Sequence, residues 1–362
     1  MLYIIGATLV ILGIIFPKNK FITLCLLGYM WVIFAFNTAN ADYRSYEYIY
    51  RRIALGNLWS TTVKERGFVY LVYLCANYLK INYQQFLILL ASMATVMFGV
   101  VINKFTKNTN VVLALFICNP YWLMICQHRS YIALIFVMIG VYFLLFKEGL
   151  KGEVLFIVCV CVGALFHVSV LIYLVFLVCK KIDSSMIAKI VPILILGIFI
   201  LRSNVFVTFI SHYISSMKAE RWLRAAVDRT WIGIFLVVVV HAAMVGIEYY
   251  IWQTDRSNEQ ISHKCNKLEE NIFKITLICF PLTILEIYSY HFERLFRLLL
   301  LLFYILSAEY MNEHRINIRK MSIIHLSIIG YIFMYFVYFY IAYNGWFITV
   351  FRPILENNLL LS

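Results

Sequence analysis

Apolar runs of about 15–22 residues recur along the whole chain, and this feature limits most strongly what the chain can fold into. A run of that length is what an α-helix needs to cross the roughly 30 Å hydrocarbon core of a bilayer. Of the 362 residues, 63% are hydrophobic and only 14% are charged. Soluble domains are about half apolar and about a quarter charged, so these values exclude a soluble enzyme, a disordered chain and a disulfide-framework secreted domain. The sequence predicts an all-α, polytopic integral membrane protein with a single transmembrane domain over 1–362.

Membrane segments can be assigned from end to end, and about 11–12 are expected. A segment at 67–80 is weaker than the others. The clear segments are 2–16, 20–37, 84–103, 111–127, 130–146, 154–179, 186–201, 231–252, 272–288, 294–311 and 322–343. Because cytoplasmic loops are enriched in Lys and Arg, the lysine-rich connections place the loop 253–271 in the cytoplasm. The same rule assigns 38–83 and 202–230 to the outer side as two loop elements.

The segment 154–179 conflicts with a simple crossing, because lysines flank it on both sides. Both of its ends are then cytoplasmic, which predicts a re-entrant hairpin that breaks near Leu165–Phe166–His167. Non-helical backbone at that depth is tolerated only where it is buried in protein or lines a cavity. The alternative, which stays open, is an ordinary crossing with a weak charge bias.

The net charge of +13 is carried by basic residues between the apolar runs, where they orient helices and meet anionic lipid headgroups. We therefore expect membrane lipid as a partner and no nucleic acid. In this topology the outer side has 12 Arg and 3 Lys, whereas the inner side has 13 Lys and 3 Arg. The Arg guanidinium binds phosphate through two parallel hydrogen bonds, so the outer face suggests a phosphate or diphosphate ligand. Contacts with lipid headgroups are the alternative.

The outer loop 38–83 combines acidic and aromatic residues, among them Asp42, Tyr43, Tyr46 and Glu65. Carboxylates accept hydrogen bonds from sugar hydroxyls, and aromatic rings cover the apolar faces of pyranoses, so this composition fits sugar binding. The alternative is a belt of interfacial tyrosines with local ion pairs. Within the loop the apolar periodicity predicts two amphipathic helices, at Tyr43–Ile53 and at Phe68–Leu79.

Several ionisable residues interrupt apolar surroundings. Arg129 stands at a tight outer turn, where a guanidinium is costly without a partner, either an anionic ligand or a carboxylate such as Glu65 or Glu293. His167 lies within an apolar run, where an ionisable side chain is by default a functional candidate, with a structural hydrogen bond at a helix break as the alternative. Arg297 follows Arg294 at the i, i+3 spacing, so the two would share one helix face.

No metal or cofactor is expected from the sequence. The nine cysteines include no CxxC pair and no Cys/His spacing typical of zinc. The four aspartates are too scattered to suggest a metal held by carboxylates, and the motifs of ATP binding and zinc hydrolysis do not occur. His241 lies within a predicted helix without a supporting motif, and we interpret it as structural.

Four short motifs occur in an order that resembles a known family. They are Asp42-Tyr43 with Tyr46 and Tyr50, Glu65-Arg66-Gly67-Phe68, Arg129-Ser130-Tyr131-Ile132-Ala133, and Leu165-Phe166-His167-Val168-Ser169. In this order they resemble the EpsG-like branch of the Wzy-type bacterial polysaccharide polymerases. The resemblance covers roughly residues 35–180, and the second half of the chain is similar in hydropathy only.

The resemblance implies a GT-C-like fold and a metal-independent glycosyltransferase that uses no cofactor. Such a polymerase transfers a growing glycan from undecaprenyl diphosphate to the next lipid-linked repeat, to build O-antigen or a related surface polysaccharide. It would be a multi-pass protein of the bacterial inner membrane with an active site that faces the periplasm. Undecaprenyl-diphosphate-linked oligosaccharides would be its substrates, and whether a chain-length regulator binds is left open.

This reaction assigns roles to the candidate residues. The incoming hydroxyl needs a base, for which the candidates are His167, Glu65 and Asp42. The diphosphate leaving group needs compensation of its negative charge. The candidates for that role are Arg129, Arg294, Arg297 and Arg66, and those for glycan binding are Tyr43, Tyr46, Tyr290 and His291.

Three other functions stay open. A flippase or transporter for lipid-linked oligosaccharides would carry paired repeats, and the sequence has no detectable internal symmetry. A membrane sugar O-acyltransferase would open its site to the cytoplasm, whereas the candidate acids and arginines face outward. An O-antigen ligase shares the chemistry, but no long outer loop with a histidine favours it.

Overall fold

The computed structural model describes residues 1–56, 65–201, 231–256, 263–283, 286, 290–313, 318–337 and 345–360. Within these ranges all extended regular structure is helical, and the β-type pairing consists of an isolated bridge between Asn37 and Asn358. The all-α prediction is therefore confirmed. The predicted outer loop 202–230 lies outside the described residues.

The described α-helices begin and end as follows. They are α1 (Leu2–Ile15), α2 (Lys20–Ala35), α3 (Tyr43–Ala54), α4 (Arg66–Tyr73), α5 (Tyr83–Phe105), α6 (Thr109–Cys118), α7 (Tyr121–Cys126), α8 (His128–Phe146), α9 (Gly149–Ala164), α10 (Phe176–Cys179), α11 (Ser184–Leu201), α12 (Trp231–Arg256), α13 (His263–Cys279), α14 (Phe296–Glu313), α15 (Ile318–Phe336) and α16 (Arg352–Glu356). Shorter 3-10 and π turns are Leu74–Tyr78, Val168–Val175, Phe280–Leu282, Tyr290–Leu295 and Phe347–Phe351.

Three of the described helical stretches are long and apolar enough to cross a bilayer: α5, α8 and Phe235–Thr254 within α12. Shorter apolar helices of 10–17 residues accompany them, including α1, α2 and α6. This composition makes the chain an integral membrane protein with several membrane helices. The number of 11–12 membrane segments, the GT-C-like arrangement and the re-entrant path of 154–179 stay predictions.

The helices form two compact units. The first contains Met1–Leu174, Ser307–Asn312 and Tyr335–Ser362, and the second contains Val175–Leu306 and Glu313–Met334. In the second unit α12 packs on α13, where the indole of Trp252 stacks on the ring of Phe273 at a centroid distance of 5.3 Å. Each unit therefore has an aromatic and aliphatic core of its own.

In the first unit α1 packs against α6, and α2 packs against α5. One buried amide joins the first of these pairs to the turn that follows α1. The side chain of Asn110 donates hydrogen bonds to the carbonyl oxygens of Phe16 (2.6 Å) and Asn19 (2.9 Å), and its oxygen accepts one from Thr23. A buried amide needs such partners, because an unpaired polar group in an apolar interior is costly.

Two details of the predicted segments are corrected. The segment 111–127 is not one continuous helix, because α6 ends at Cys118 and α7 starts at Tyr121. Pro120 lies between them, and a proline disfavours helical backbone in the residue before it. The predicted loop 253–271 is helical outside 257–262, since α12 extends to Arg256 and α13 begins at His263.

Both amphipathic helices predicted within 38–83 are present. The helix predicted at Tyr43–Ile53 is α3, and the one predicted at Phe68–Leu79 is α4 together with the π turn Leu74–Tyr78. In α3 the side chains of Tyr46, Tyr50 and Ile53 are buried. This spacing of four and three residues is that of one helix face.

The helices α8 and α9 lie against each other along much of their length. Gly140 of α8 allows this approach: a Cβ atom there would lie 3.0 Å from both the Cβ of Cys159 and a ring carbon of Phe156. Between membrane helices there is little hydrophobic driving force, so close contact at small residues contributes much of the association. The tight packing brings the end of α9 next to α8, where Phe166 stacks on Phe136.

The break predicted near Leu165–His167 is confirmed. Helix α9 ends at Ala164, a turn covers Leu165 and Phe166, and a 3-10 helix follows from Val168. The turn places His167 just beyond the helix end.

Enlarging Gly140 tests the importance of the α8–α9 contact. We expect Gly140→Leu to lower the free energy of unfolding by about 1–3 kcal/mol, because the added side chain has no room between the helices. The measurement is thermal unfolding of the purified protein in detergent. The matched control is Gly28→Leu, at a glycine of α2 with no atom within 4 Å of the added Cβ. Equal unfolding midpoints for the two variants would contradict the packing argument.

Candidate functional site

The candidate site lies in the first unit and is built from three separate stretches of the chain. Glu65 immediately precedes α4, Arg129 is in the first turn of α8, and His167 follows the break after α9. In the sequence, Glu65 is 64 positions before Arg129 and 102 positions before His167. The fold thus brings together three residues that the sequence analysis proposed separately.

The carboxylate of Glu65 bridges the other two side chains. Its Oε2 accepts a hydrogen bond from Arg129 Nη1 at 2.6 Å, and its Oε1 lies 3.3 Å from His167 Nδ1. The side chain of Glu65 is 12% exposed, that of Arg129 is 24% exposed and that of His167 is 16% exposed. The cluster is therefore shielded but still accessible. Glu65 is one of the two carboxylates that the sequence analysis named as a partner for Arg129.

Two polar atoms of the cluster have no hydrogen-bond partner among the described residues. Arg129 donates through Nη1 to Glu65 and through Nε to the hydroxyl of Tyr46 at 3.4 Å, whereas its Nη2 makes no hydrogen bond within the described part of the chain. His167 uses Nδ1, and its Nε2 has no hydrogen-bond partner among the residues that the structure describes. The arrangement therefore offers one guanidinium edge and one imidazole nitrogen to an incoming molecule.

Aromatic rings surround the guanidinium of Arg129. Its Cζ lies 5.8 Å from the ring centroid of Tyr46 and 5.9 Å from that of Phe68. The ring of Tyr46 in turn stacks on His128 at a centroid distance of 4.5 Å. Such cation–π contacts hold the guanidinium in place and limit its hydration, which strengthens its interaction with an anion.

Gly67 allows the segment that carries Glu65 to approach the segment that carries His167. The N–H of Gly67 donates to the carbonyl oxygen of Leu165 at 3.0 Å. A Cβ atom on Gly67 would lie 2.7 Å from the Cβ of Leu165 and 2.9 Å from its carbonyl oxygen, which is closer than atoms can pack. Only glycine fits this contact without a shift of the backbone.

The surroundings of Glu65 keep its carboxyl group ionised. Partial burial raises its pKa, but the hydrogen bond with His167 and the positive charge of Arg129 outweigh burial and lower the pKa from 4.5 to about 2. A carboxylate with so low a pKa is a weak base. Its chemistry is to orient Arg129 and His167 and to balance their charge.

The other predicted residues of the first unit lie around this cluster. Asp42 immediately precedes α3. Burial raises the pKa of the Tyr46 hydroxyl, and the positive charge of Arg129 opposes this increase. The negative charge of Asp42 raises the pKa of Tyr46 further. Tyr46 is buried beneath Arg129, whereas Tyr43, three residues earlier, is half-buried and faces a separate cleft. Arg66 is exposed at the start of α4.

The predicted residues of the second half lie in a 3-10 turn and the helix after it. Arg297 is fully buried and donates to Glu293 through Nε at 2.9 Å and through Nη2 at 2.7 Å. Arg294 is half-buried. The backbone of Tyr290 and His291 is in the turn Tyr290–Leu295, and their side chains lie outside the described residues.

Sequence reasoning missed several partners in these contacts. Phe68 and His128 contribute rings around Arg129 and Tyr46, and Leu165 supplies the carbonyl oxygen that accepts from Gly67. In the second unit His241, interpreted as structural, lies 2.9 Å from the buried carboxyl group of Glu286. An acidic residue in a predicted membrane segment would have been a signal for Glu286, because such residues nearly always have a partner.

Among the described residues, no group of three or more His, Cys, Asp and Glu side chains is placed to hold a metal ion. The cluster of Glu65 and His167 offers two such ligands, with the cation of Arg129 beside them. This chemistry favours an anionic ligand over a metal ion.

The low pKa of Glu65 predicts how acid affects stability. Because the pKa is below its unfolded value of 4.5, the carboxylate stabilises the folded protein above about pH 4.5, and this stabilisation disappears as the pH falls toward about 2. The difference in unfolding midpoint between the wild type and Glu65→Gln should be constant from about pH 7 to 5 and shrink below that. Glu356→Gln, at an exposed ion pair with Arg352, is the control and should differ little from the wild type at any pH. A difference that disappears already near pH 6 would contradict the assignment.

The comparisons with known proteins identify a family. The model of the EpsG family matches residues 20–350, and therefore extends beyond the region 35–180 in which the four motifs lie. Comparison with curated proteins and with solved structures found no match. Proteins similar to EpsG are related to polysaccharide polymerases, which gives this chain a polymerase-like role in exopolysaccharide biosynthesis. The family predicted from the motifs is thus confirmed, and the chain belongs to the EpsG family.

Proposed function

We propose that the protein polymerises a bacterial surface polysaccharide by transferring the growing glycan from undecaprenyl diphosphate to the next lipid-linked repeat. The reaction takes place at the outer face of the inner membrane. The observation that carries the proposal is the cluster in which Glu65 joins Arg129 to His167. The cluster combines a side chain that can accept a proton with a side chain that can bind a diphosphate. It does so in a chain of a family related to polysaccharide polymerases.

The reaction exchanges one bond to the anomeric carbon for another. A hydroxyl at the non-reducing end of the acceptor repeat attacks the anomeric carbon of the growing glycan. The new glycosidic bond forms as the bond to the diphosphate oxygen breaks, and undecaprenyl diphosphate leaves with that electron pair. The hydroxyl proton passes to a base on the protein. No metal and no other co-reactant is needed for this balance.

His167 is the proposed base. An imidazole nitrogen can accept a proton and release it again, as a general base must. The contact between Nδ1 and the Glu65 carboxylate favours the tautomer with its hydrogen on Nδ1, which leaves the lone pair of Nε2 for the acceptor hydroxyl. Glu65 therefore acts as the positioning residue of this pair, and Asp42 is the reserve candidate for the proton.

Arg129 is the proposed ligand of the diphosphate. Its free Nη2 can donate to a phosphate oxygen while Nη1 stays bonded to Glu65. A guanidinium fixed between a carboxylate and two aromatic rings is preorganised, so little reorganisation is needed when negative charge develops on the leaving group. Exposed Arg66 is a second candidate.

The remaining candidates stay proposals of lower rank. Arg294 and Arg297 are proposed diphosphate ligands, and of the two Arg297 is less suited because it is buried and paired with Glu293. Tyr290 and His291 are proposed to contact the glycan. Tyr46, which is buried, is better suited to support Arg129 than to contact a sugar.

Two substitutions test the proposal in cells that lack the natural gene. We expect His167→Ala to reduce polymer yield by about 10²–10⁴-fold, the range typical of a lost general base. Arg129→Ala should likewise leave single-repeat products, because the leaving group loses its counter-charge. The lipid-linked and surface glycans would be separated by size on a gel.

The matched control is Arg352→Ala, which also removes an arginine side chain, here from an exposed ion pair with Glu356. It should leave the ladder of polymer lengths on the gel unchanged. An unchanged ladder for both His167→Ala and Arg129→Ala would refute the proposed site. Loss of all surface glycan in the deletion strain, with lipid-linked repeats held inside, would instead indicate a flippase. A normal ladder with altered acetylation would indicate an acyltransferase.

The contact at Gly67 predicts a further loss of activity. We expect Gly67→Ala to reduce polymer yield by about 10-fold or more, because the added methyl group displaces Glu65 from His167 and a small misplacement of catalytic groups is costly. Gly28→Ala is the control, since its added Cβ meets no atom within 4 Å. Wild-type yield and chain length in Gly67→Ala would mean that the close approach is not needed for the reaction.

A further inference from the structure

A cleft of about 510 Å³ opens between one face of α3 and the stretch 80–84, which includes the first two residues of α5. Its volume is within the range of about 300–1,000 Å³ that is typical of sites for small ligands. Helix α3 contributes Tyr43, Glu47, Tyr50 and Arg51 to the lining, at the spacing of one helix face. The cleft lies wholly within the first unit.

Three tyrosine rings form one wall of this cleft. The ring of Tyr83 lies 5.2 Å from that of Tyr43, edge to face, and 5.7 Å from that of Tyr50. The hydroxyl of Tyr50 donates a hydrogen bond to the carbonyl oxygen of Ile81, which fixes its ring between α3 and the following stretch. Fixed aromatic rings offer the flat apolar surface on which the C–H face of a pyranose packs.

The hydroxyl of Tyr83 is buried and makes no hydrogen bond within the described part of the chain, although the residue lines the cleft and is only 7% exposed. A buried polar group without a partner is costly, and nearly all such groups in proteins are paired. A ligand hydroxyl in the cleft would supply the missing partner.

The rim of the cleft is polar and charged. Arg51 donates to Glu47 at 2.7 Å, and the exposed residues Lys80 and Asn82 stand on the opposite side. Lys80 has a φ of 52°, in the left-handed region that a residue with a side chain adopts only at a cost. Such strain is often held at ligand sites, where the surrounding structure stabilises it.

The same helix connects the cleft to the reaction site. Tyr46 contacts Arg129, while Tyr43 and Tyr50 lie three and four residues away on α3, which is about one helical turn of roughly 5.4 Å in either direction. The residues of the two places are therefore about one helical turn apart on α3.

We infer that this cleft is a sugar subsite that holds one glycosyl unit of the oligosaccharide repeat, beside the bond that reacts. The rings of Tyr43, Tyr50 and Tyr83 pack against the sugar, the Tyr83 hydroxyl and Glu47 hydrogen-bond its hydroxyl groups, and Lys80 lies at the rim. This inference rests on the proposed function, because the ligand is the substrate of that reaction.

The Tyr83→Phe variant separates this role from a structural one. It removes only the hydroxyl, which has no hydrogen-bond partner among the described residues, so the unfolding midpoint should stay equal to the wild type or rise. The probe is the repeat-unit oligosaccharide released by mild acid from the polysaccharide of the producing strain, and its binding to the purified protein in detergent is measured by calorimetry. We expect about 5–10-fold weaker binding for Tyr83→Phe and a larger loss for Tyr43→Ala.

Tyr48→Phe is the matched control, because Tyr48 is on the same helix but is 62% exposed and does not line the cleft. It should bind the oligosaccharide as the wild type does. Wild-type affinity in both Tyr83→Phe and Tyr43→Ala would overturn the subsite.

These experiments distinguish a failure of the sugar subsite from a failure of the proposed reaction. His167→Ala should lose polymerisation and keep its affinity for the oligosaccharide, because His167 does not line the cleft. If His167→Ala polymerises normally while Tyr83→Phe binds sugar weakly, the reaction assignment fails and the subsite stands. If His167→Ala is inactive while both tyrosine variants bind sugar normally, the subsite fails and the reaction assignment stands.

Discussion

The carboxylate of Glu65 holds the candidate site together, because it is bonded to Arg129 and to His167 at the same time. A charged or polar side chain that is largely removed from water destabilises the fold unless it has a partner. The two contacts give a partner to each of the three side chains. Within the described part of the chain, Nη2 of Arg129 and Nε2 of His167 make no hydrogen bond. The interaction that stabilises the charges therefore also determines which atoms can face a substrate.

This bridge depends on close backbone packing at two glycines. Gly140 lets α9 lie against α8, and Gly67 lets the segment of Glu65 touch the carbonyl oxygen of Leu165. In a membrane protein such contacts matter more than in water, because apolar side chains gain little by leaving lipid for protein. A bulky residue at either place would separate the groups that the site needs within hydrogen-bond distance.

Buried charged side chains in the second unit are paired in the same way. His241 lies against Glu286, and Arg297 is bonded to Glu293, with all four side chains at most 1% exposed. Pairs of this kind satisfy charges that the membrane interior would otherwise penalise. The cluster around Glu65 differs from them because its side chains are partly exposed.

Local sequence patterns alone determined that the chain is all helical and membrane-embedded and that α3 is amphipathic. They favoured a break near Leu165–His167 over an ordinary crossing of 154–179, and the structure has that break. These are properties of apolar periodicity and charge within about 20 residues, so they can be interpreted without the fold. Four motifs in order also indicated the family. Only the tertiary structure decided that Glu65, rather than Glu293, pairs with Arg129, that Tyr46 is buried while Tyr43 faces a cleft, and that Gly67 contacts Leu165. The contacts of Glu65 with Arg129 and of Gly67 with Leu165 join segments that are far apart in the chain. The different surroundings of Tyr46 and Tyr43 distinguish two residues of one helix. All of these features depend on how the helices pack, which no local pattern specifies.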